Sequence, residues 1–287
     1  MKTLNTLFPT RLARRALLAA GLAGAAALVA PMAAQAQEQR RVAIVSALGD
    51  SITVVQSEPT TGSHFKDRRV EDVFPVPEGI FDVYALGQLQ QGLAGANALL
   101  IPLKLKSASV LGDTDKLVDG GRWVGSDMLN QALKELKATH LVLLRPLRAP
   151  ARVQMAQNTM GQGQLRGLGF YLDRNTFVRA ESEAIAARRG FLAPYVYAEL
   201  SVIDVAQGAV TGSAPIRFAE SMTTNSVDGA GDAWDLLTTK QKIETLQESI
   251  RDEVAKQLPK VAAGLGATGA NRATADAGGE TATRVRP

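Results

Sequence analysis

The sequence predicts a mixed α/β (α+β) domain with elements in the order β-α-β-α-β-β-β-α, closed by a long C-terminal helix. Three observations lead there. A helical stripe ending in Leu136-Lys-Ala-Thr139 passes with almost no loop into the apolar run Thr139–Leu147, the step of an α/β unit. Residues 191–205 alternate, with Val196, Ala198, Leu200 and Val202 on one face and Tyr195, Tyr197, Glu199 and Ser201 on the other. From Trp234 to Leu258, the residues Leu236, Ile243, Leu246, Ile250, Val254 and Leu258 recur at helical spacing.

The elements follow in order. Val42–Leu48 reads as a buried strand, Gly49-Asp50 as a turn, and Ser51–Val55 as a second strand, which together predict a hairpin. A polar loop over 57–66 precedes a short strand, Arg69–Val76, ended by Pro75 and Pro77. Phe81–Leu93 has helical spacing, with Phe81, Tyr84, Ala85, Leu89 and Leu93 on one face. Ala98–Leu105 reads as a buried strand, and Pro102 places it at an edge or a bulge. Ser126 caps a helix whose stripe is Met128, Leu129, Ala132, Leu133 and Leu136, and the strand Thr139–Leu147 follows. Residues 148–169, rich in Gln, Met and Gly, read as a long hairpin or mobile connection outside the core. Asp204–Gly208 turns the alternating strand back into Ala209–Phe218. On the last helix Lys240, Lys242, Glu244, Glu248, Arg251 and Lys256 form the solvated face.

Both ends of the chain differ in composition from the middle. Residues 1–36 hold a basic stretch (Lys2, Arg11, Arg14, Arg15), an apolar run from Ala16 to Ala30, and the small-x-small sequence Ala34-Gln-Ala36. This is the pattern of a cleaved export signal, with cleavage expected between Ala36 and Gln37 and a periplasmic destination for 37–262. The apolar run is shorter than the ~20 residues a spanning helix needs. Arg14-Arg15-Ala-Leu-Leu18 resembles the core of a twin-arginine signal, though paired arginines also occur in ordinary signals, so both routes stay open. From Ala263 to Pro287 the composition falls to Ala, Gly, Thr and scattered charges, which predicts a disordered tail.

The 287 residues carry 32 basic and 28 acidic side chains. Four of the basic ones and none of the acidic ones lie in 1–36, so the remainder is formally neutral. A neutral domain lacks the positive field that steers proteins to nucleic acid, and none is expected as a partner. There is no Cys, hence no disulfide and no thiol for lipid attachment.

Gly49-Asp-Ser-Ile-Thr53, directly after a strand, resembles the first block of the GDSL/SGNH hydrolases, which would make Ser51 a nucleophile. That chemistry needs a histidine base. The family carries it in a C-terminal Asp-x-x-His block, with a Gly-x-Asn-Asp block between. Here the histidines are His64 and His140, neither three residues after an Asp, and Gly95-Ala-Asn97 lacks the acid of the middle block. A Gly-Asp turn between strands accounts for the five residues more simply. His64 and His140 with Asp67 or Glu71 show no short ligand spacing, so no metal is expected. Gly161-Gln-Gly163-Gln-Leu-Arg-Gly167 misses the dinucleotide spacing and precedes strand-like sequence, so no cofactor is expected. Tyr195 and Tyr197 offer either a binding platform or packing beneath a covering element.

The runs Ala132–Arg148 and Ala198–Ile216 carry a helix-to-strand step and a strand, Val-Asp, Gly, strand hairpin. In this order they resemble the domain shared by the curli-secretion lipoprotein, the lipoprotein activators of penicillin-binding proteins and the N-terminal domain of the Tol-Pal translocation protein. That resemblance implies a non-catalytic protein-binding or assembly domain of the cell envelope, with an envelope protein as partner. The missing lipid-anchoring Cys and the extra strand pair before the first helix depart from the pattern, so anchoring and pore formation do not carry over. The sequence thus points to a non-catalytic periplasmic domain that binds a protein or a small ligand, with an esterase using Ser51 as the alternative.

Overall fold

The structure is a computed structural model that describes residues 40–57, 70–76, 79–106, 108–178, 188–222 and 232–266. The expected cleavage site at Ala36–Gln37, the loop bearing His64, and residues 267–287 lie outside the described residues. The architecture is the expected mixed α/β one, with parallel and antiparallel strands and a long C-terminal helix.

The strands are β1 (Arg40–Ser46), β2 (Ser51–Ser57), β3 (Val70–Pro75), β4 (Ala98–Leu103), the short β5 (Val118–Asp119) and β6 (Arg122–Trp123), and β7 (His140–Pro146). They continue as β8 (Arg148–Pro150), β9 (Val153–Gln154), β10 (Thr159–Met160), β11 (Gln164–Val178), β12 (Arg188–Asp204) and β13 (Ala209–Ala219). The helices are α1 (Ile80–Leu93), α2 (Asp127–Glu135) and α3 (Thr239–Ala262).

Pairing registers reduce most of these strands to five rows. Strand β12 pairs with β13 along one edge. Along its other edge it pairs first with β11, from Phe191 to Tyr197, and then with β7, from Ala198 to Asp204. Because β7 and β11 both run antiparallel to β12, they form a single interrupted row. Strands β1 and β2 lie parallel to β7 and β11 respectively and make a second interrupted row. The last row holds β4 beside β1 and β3 beside β2.

This corrects the expected hairpin at Gly49-Asp50. Strands β1 and β2 do not pair; they run on in the same direction, separated by a break over 47–50. Gly49 adopts φ 102°, which favours glycine, but the segment offsets the chain without reversing it. The rows stay in register across the interruptions, since Ala47 N–H donates to Leu144 O (2.8 Å) and Leu147 N–H to Tyr197 O (2.9 Å).

One face of the sheet is covered by α1 and α3. Phe81, Ala85, Leu89 and Leu93 of α1, with Leu246, Ile250, Val254 and Leu258 of α3, pack on Val42, Ile44, Val142, Val196, Leu200 and Val202. Opposite, α2 sends Leu129 and Leu133 onto Ala43, Val45, Leu141, Leu143 and Ile203. Ser126 caps α2 by accepting from Leu129 N–H, and Thr238 caps α3 in a reciprocal box with Gln241.

Further differences from expectation have local causes. Strand β4 is half-exposed: it pairs only with β1 among the described residues, and Leu99 is 41% exposed. Met128 sits at the first turn of α2, beyond the reach of the sheet, and is exposed. The last helix begins only at Thr239, after a short 3-10 turn at Ala233–Leu236. Lys242 is buried instead of solvated: its Nζ donates to Leu237 O (2.6 Å) and lies 4.0 Å from the Trp234 ring centroid. Burial pushes its pKa below the ordinary lysine value. The core also extends past Ala262, where Ala263–Leu265 forms a 3-10 turn that buries Gly264 and Leu265, so the tail boundary expected at Ala263 falls too early.

The largest correction concerns residues 148–169. They form a long hairpin, but it belongs to the core. Strand β8 pairs with the start of β11, Ala151 N–H donates to Gly163 O (2.8 Å), and β9 pairs with β10. Ala149, Ala151, Val153 and Leu165 pack on Tyr171, Phe191, Ala193, Tyr195 and Tyr197. The hairpin is an insertion in the β7–β11 row, folded back over the face that α2 leaves bare.

Candidate functional site

The motif segment was the first candidate, and its geometry is structural. Asp82, buried at the start of α1, reaches the break between β1 and β2. Its Oδ1 accepts from Ser46 Oγ–H (2.6 Å) and Leu48 N–H (2.8 Å), and its Oδ2 from Gly49 N–H (3.3 Å). The Leu48 and Gly49 amides fall where the row is interrupted, and the carboxylate supplies their acceptor. Burial pushes the Asp82 pKa above the ordinary carboxylate value, against the lowering effect of those three hydrogen bonds. The segment is therefore a strand interruption stapled by a helix carboxylate.

Ser51 is the first residue of β2, half-buried, and stands opposite Pro75. His140 opens β7 beside Val42 and opposite Asp204, whereas Ser51 lies level with Tyr197 of β12, about seven strand positions or roughly 23 Å along the row. Its Nδ1 lies 3.0 Å from Thr139 Oγ1, and burial pushes its pKa down, with Asp204 opposing. The structure does not bring His140 to Ser51. Gly95-Ala-Asn97 forms the turn between α1 and β4. Gly161, Gly163 and Gly167 have positive φ and lead into β11, so no helix N-terminus follows them. Glu71 lies on β3, while His64 and Asp67 are outside the described residues. Among the described residues no group of three His, Asp or Glu side chains is placed to hold a metal, and no helix is long and apolar enough to cross a membrane.

The tyrosines do not form an open platform; the inserted hairpin covers them. Tyr197 Oη accepts from Arg152 N–H (3.0 Å) and donates to Pro150 O (3.3 Å). Tyr171 Oη accepts from Gln162 N–H (3.2 Å). Tyr195 Oη donates to Thr53 O (3.2 Å). Two of the three hydroxyls thus fix the hairpin and the third fixes β2. Gly169 permits the last contact, since a Cβ there would sit 1.8 Å from Thr53 O and 2.7 Å from Tyr195 Oη.

Between the cover of α2 and the cover of the hairpin runs a polar seam. Arg145 of β7 pairs with Glu199 of β12, which also accepts from Ser213 Oγ–H (2.7 Å). Arg166 of β11 reaches Thr114 Oγ1 (2.9 Å) and Asp115 Oδ1 (3.2 Å). The Nε atoms of both arginines are buried without a hydrogen-bond partner. At the end of the seam a cleft opens between the hairpin base and the sheet. Arg148, Gln164 and Arg166 line it from the hairpin, Thr53 and Glu71 from β2 and β3, and Tyr195 from β12. Sequence reading missed this cleft because its walls come from five separate stretches. A usable signal was present for the seam alone: Arg145 and Glu199 are opposite charges within the mostly apolar runs 141–147 and 191–203.

No known protein family and no characterised relative matches this chain at the level of sequence. Among solved structures it is similar to a neuraminyllactose-binding hemagglutinin homolog from Helicobacter pylori, at 8% identity and a TM-score of 0.36, over 76% of this chain and 82% of the other. It is similar also to PelC from Paraburkholderia phytofirmans, solved as a dodecamer, at 10% identity and a TM-score of 0.27, over 76% and 86%. A third is protein XCC0632 from Xanthomonas campestris, at 9% identity and a TM-score of 0.26, over 77% and 87%. Likeness this weak does not establish a shared fold and transfers no activity.

Proposed function

We propose that this chain is a non-catalytic binding domain of the periplasm that docks an extended segment of another envelope protein on β3. One observation carries the reading. Strand β3 pairs only with β2 among the described residues, and it presents Val73 at 62% and Phe74 at 43% exposure. An edge strand with unpaired backbone groups and exposed apolar side chains is a template for a further strand. Strand β4, in the same row, is blunted by Pro102, so β3 is the better acceptor. Support comes also from the resemblance of the element order to envelope assembly domains, and from the export pattern of residues 1–36, which predicts a mature N-terminus at Gln37. The esterase alternative has no comparable support, because Asp82 engages the segment as a structural staple.

The test is site-specific photo-crosslinking in intact envelopes, with a benzophenone side chain at position 73 and a control at exposed Glu248 of α3. A single protein adduct at 73, missing from the control and lost when Phe74→Asp is added, is the expected result. Adducts at both positions, or at neither, would overturn the docking. An adduct of twice the chain's own mass would make the partner a second copy and overturn the hetero-partner reading.

A further inference from the structure

The cleft at the hairpin base has an ordered distribution of donors and acceptors. On one wall Arg148 and Arg166 stand directly opposite each other across β8 and β11. Like charges in that position repel. Arg166 is partly compensated by Asp115, while Arg148 makes no ion pair among the described residues. The Gln164 amide lies beside Arg166 on the same wall. A carboxylate placed there would accept from both guanidinium groups and remove the repulsion.

The facing wall is of opposite character. Glu71 brings a carboxylate, and its charge acts on the neighbouring Tyr195. The Tyr195 hydroxyl spends its proton on Thr53 O, so toward the cleft it can only accept. Charge counting sharpens the conclusion. Arg148 and Arg166 are balanced by Asp115 and Glu71, so the site is neutral and a bare anion would meet the Glu71 carboxylate. A ligand bearing both signs satisfies both walls.

We propose that this cleft binds a small zwitterion of the α-amino-acid class, its carboxylate on Arg148 and Arg166 and its ammonium group toward Glu71. The cleft shares β3 with the proposed docking edge through Glu71, but it binds through side chains at the hairpin base and not through the Val73–Phe74 edge, so its tests are read independently of partner docking.

The test uses the chain from Gln37 onward, in calorimetry and thermal-shift titrations with the common amino acids singly, at fixed ionic strength. Acetate, methylammonium and inorganic phosphate serve as controls. At least one amino acid should bind and raise the unfolding midpoint, and each half-ligand at the same concentration should not. Arg148→Gln and Glu71→Gln should each weaken binding by about tenfold or more, as loss of a charge-assisted contact does. Both side chains are exposed, so the unliganded midpoint of each variant reports that it has folded. Three results would overturn the proposal. One is no binding by any amino acid; another is binding indifferent to both substitutions. The third is binding of acetate or phosphate that strengthens in Glu71→Gln, which would define a plain anion site.

Discussion

At the scale of residues, Asp82 carries the most consequence. It accepts from two backbone amides and the Ser46 hydroxyl at the β1–β2 break, and removing it leaves all three without that acceptor. Asp82→Ala should cost about 3 kcal/mol in denaturant unfolding, the sum expected for a few partly buried donors left unpaired. Asp82→Asn keeps an acceptor and removes the titration, which isolates the proton linkage. Because burial raises the folded pKa, the folded state binds the proton more tightly than the unfolded chain does. The associated stability is present in full below the ordinary value of 3.8 and is lost as pH rises through the raised folded value. Wild type should therefore compare less favourably with Asp82→Asn at neutral pH than at about pH 3.5. The opposite slope would mean that the hydrogen bonds to the ionised carboxylate outweigh its burial. Asp82 was visible in the sequence only as an acid four residues before Leu86, on the side of the helix that turned out to be buried. The GDSIT segment drew attention instead, because motif matching weighs residue type and ignores where a neighbouring chain delivers a charge.

At the scale of elements, the strands with clean alternation were legible, and the inserted hairpin was not. Tyr195 and Tyr197 were placed correctly on one face of β12, yet what covers them is a stretch with few large apolar residues. Ala149, Ala151 and Val153 suffice because the tyrosines supply the bulk and the backbone supplies the hydrogen bonds. Composition reads such a stretch as loop, since it counts apolar volume on one side of a contact only. The fifteen-residue strand β11 was missed for a related reason: its Gly167 and Gly169 look like breakers. One has the positive φ of an irregular strand start, and the other is demanded by the close approach of Thr53 O. If the hairpin is core, its backbone is protected. The amides of Ala151 and Arg152 should exchange far more slowly than those at the 156–158 tip, and proteases should not cut between Arg148 and Val153. Tyr197→Phe should lower stability by about 1–2 kcal/mol, because it leaves Arg152 N–H and Pro150 O without their shared partner. Fast exchange at Ala151 in the wild type would restore the reading of a mobile connection.

At the scale of the whole described domain, the sequence order yields the fold class but hides the two interrupted rows. A hairpin and a broken row use the same local signals, two apolar runs around Gly-Asp. The choice between them lies in what stands beside each strand, here β7 and β11, more than eighty residues away. The helices that cover the sheet were easier, because an apolar stripe needs no partner to be recognised. Their ends were harder. Helix α3 continues into the Ala263–Leu265 turn, and Gly264 lies so close to β13 that a Cβ would sit 3.1 Å from Gly212 N. Composition falls off at that point because the contact needs small residues, which is also how a disordered tail looks. A chain ending at Gly266 and a chain ending at Ala262 differ by this turn alone. The shorter should be less stable by about 2–3 kcal/mol, the worth of burying Leu265, which is 4% exposed. Equal midpoints in urea would show that the turn contributes no packing and would return the end of the domain to Ala262. A difference of the expected size, abolished by Leu265→Ala in the longer chain, would assign the effect to that side chain and place the close of the core on β13.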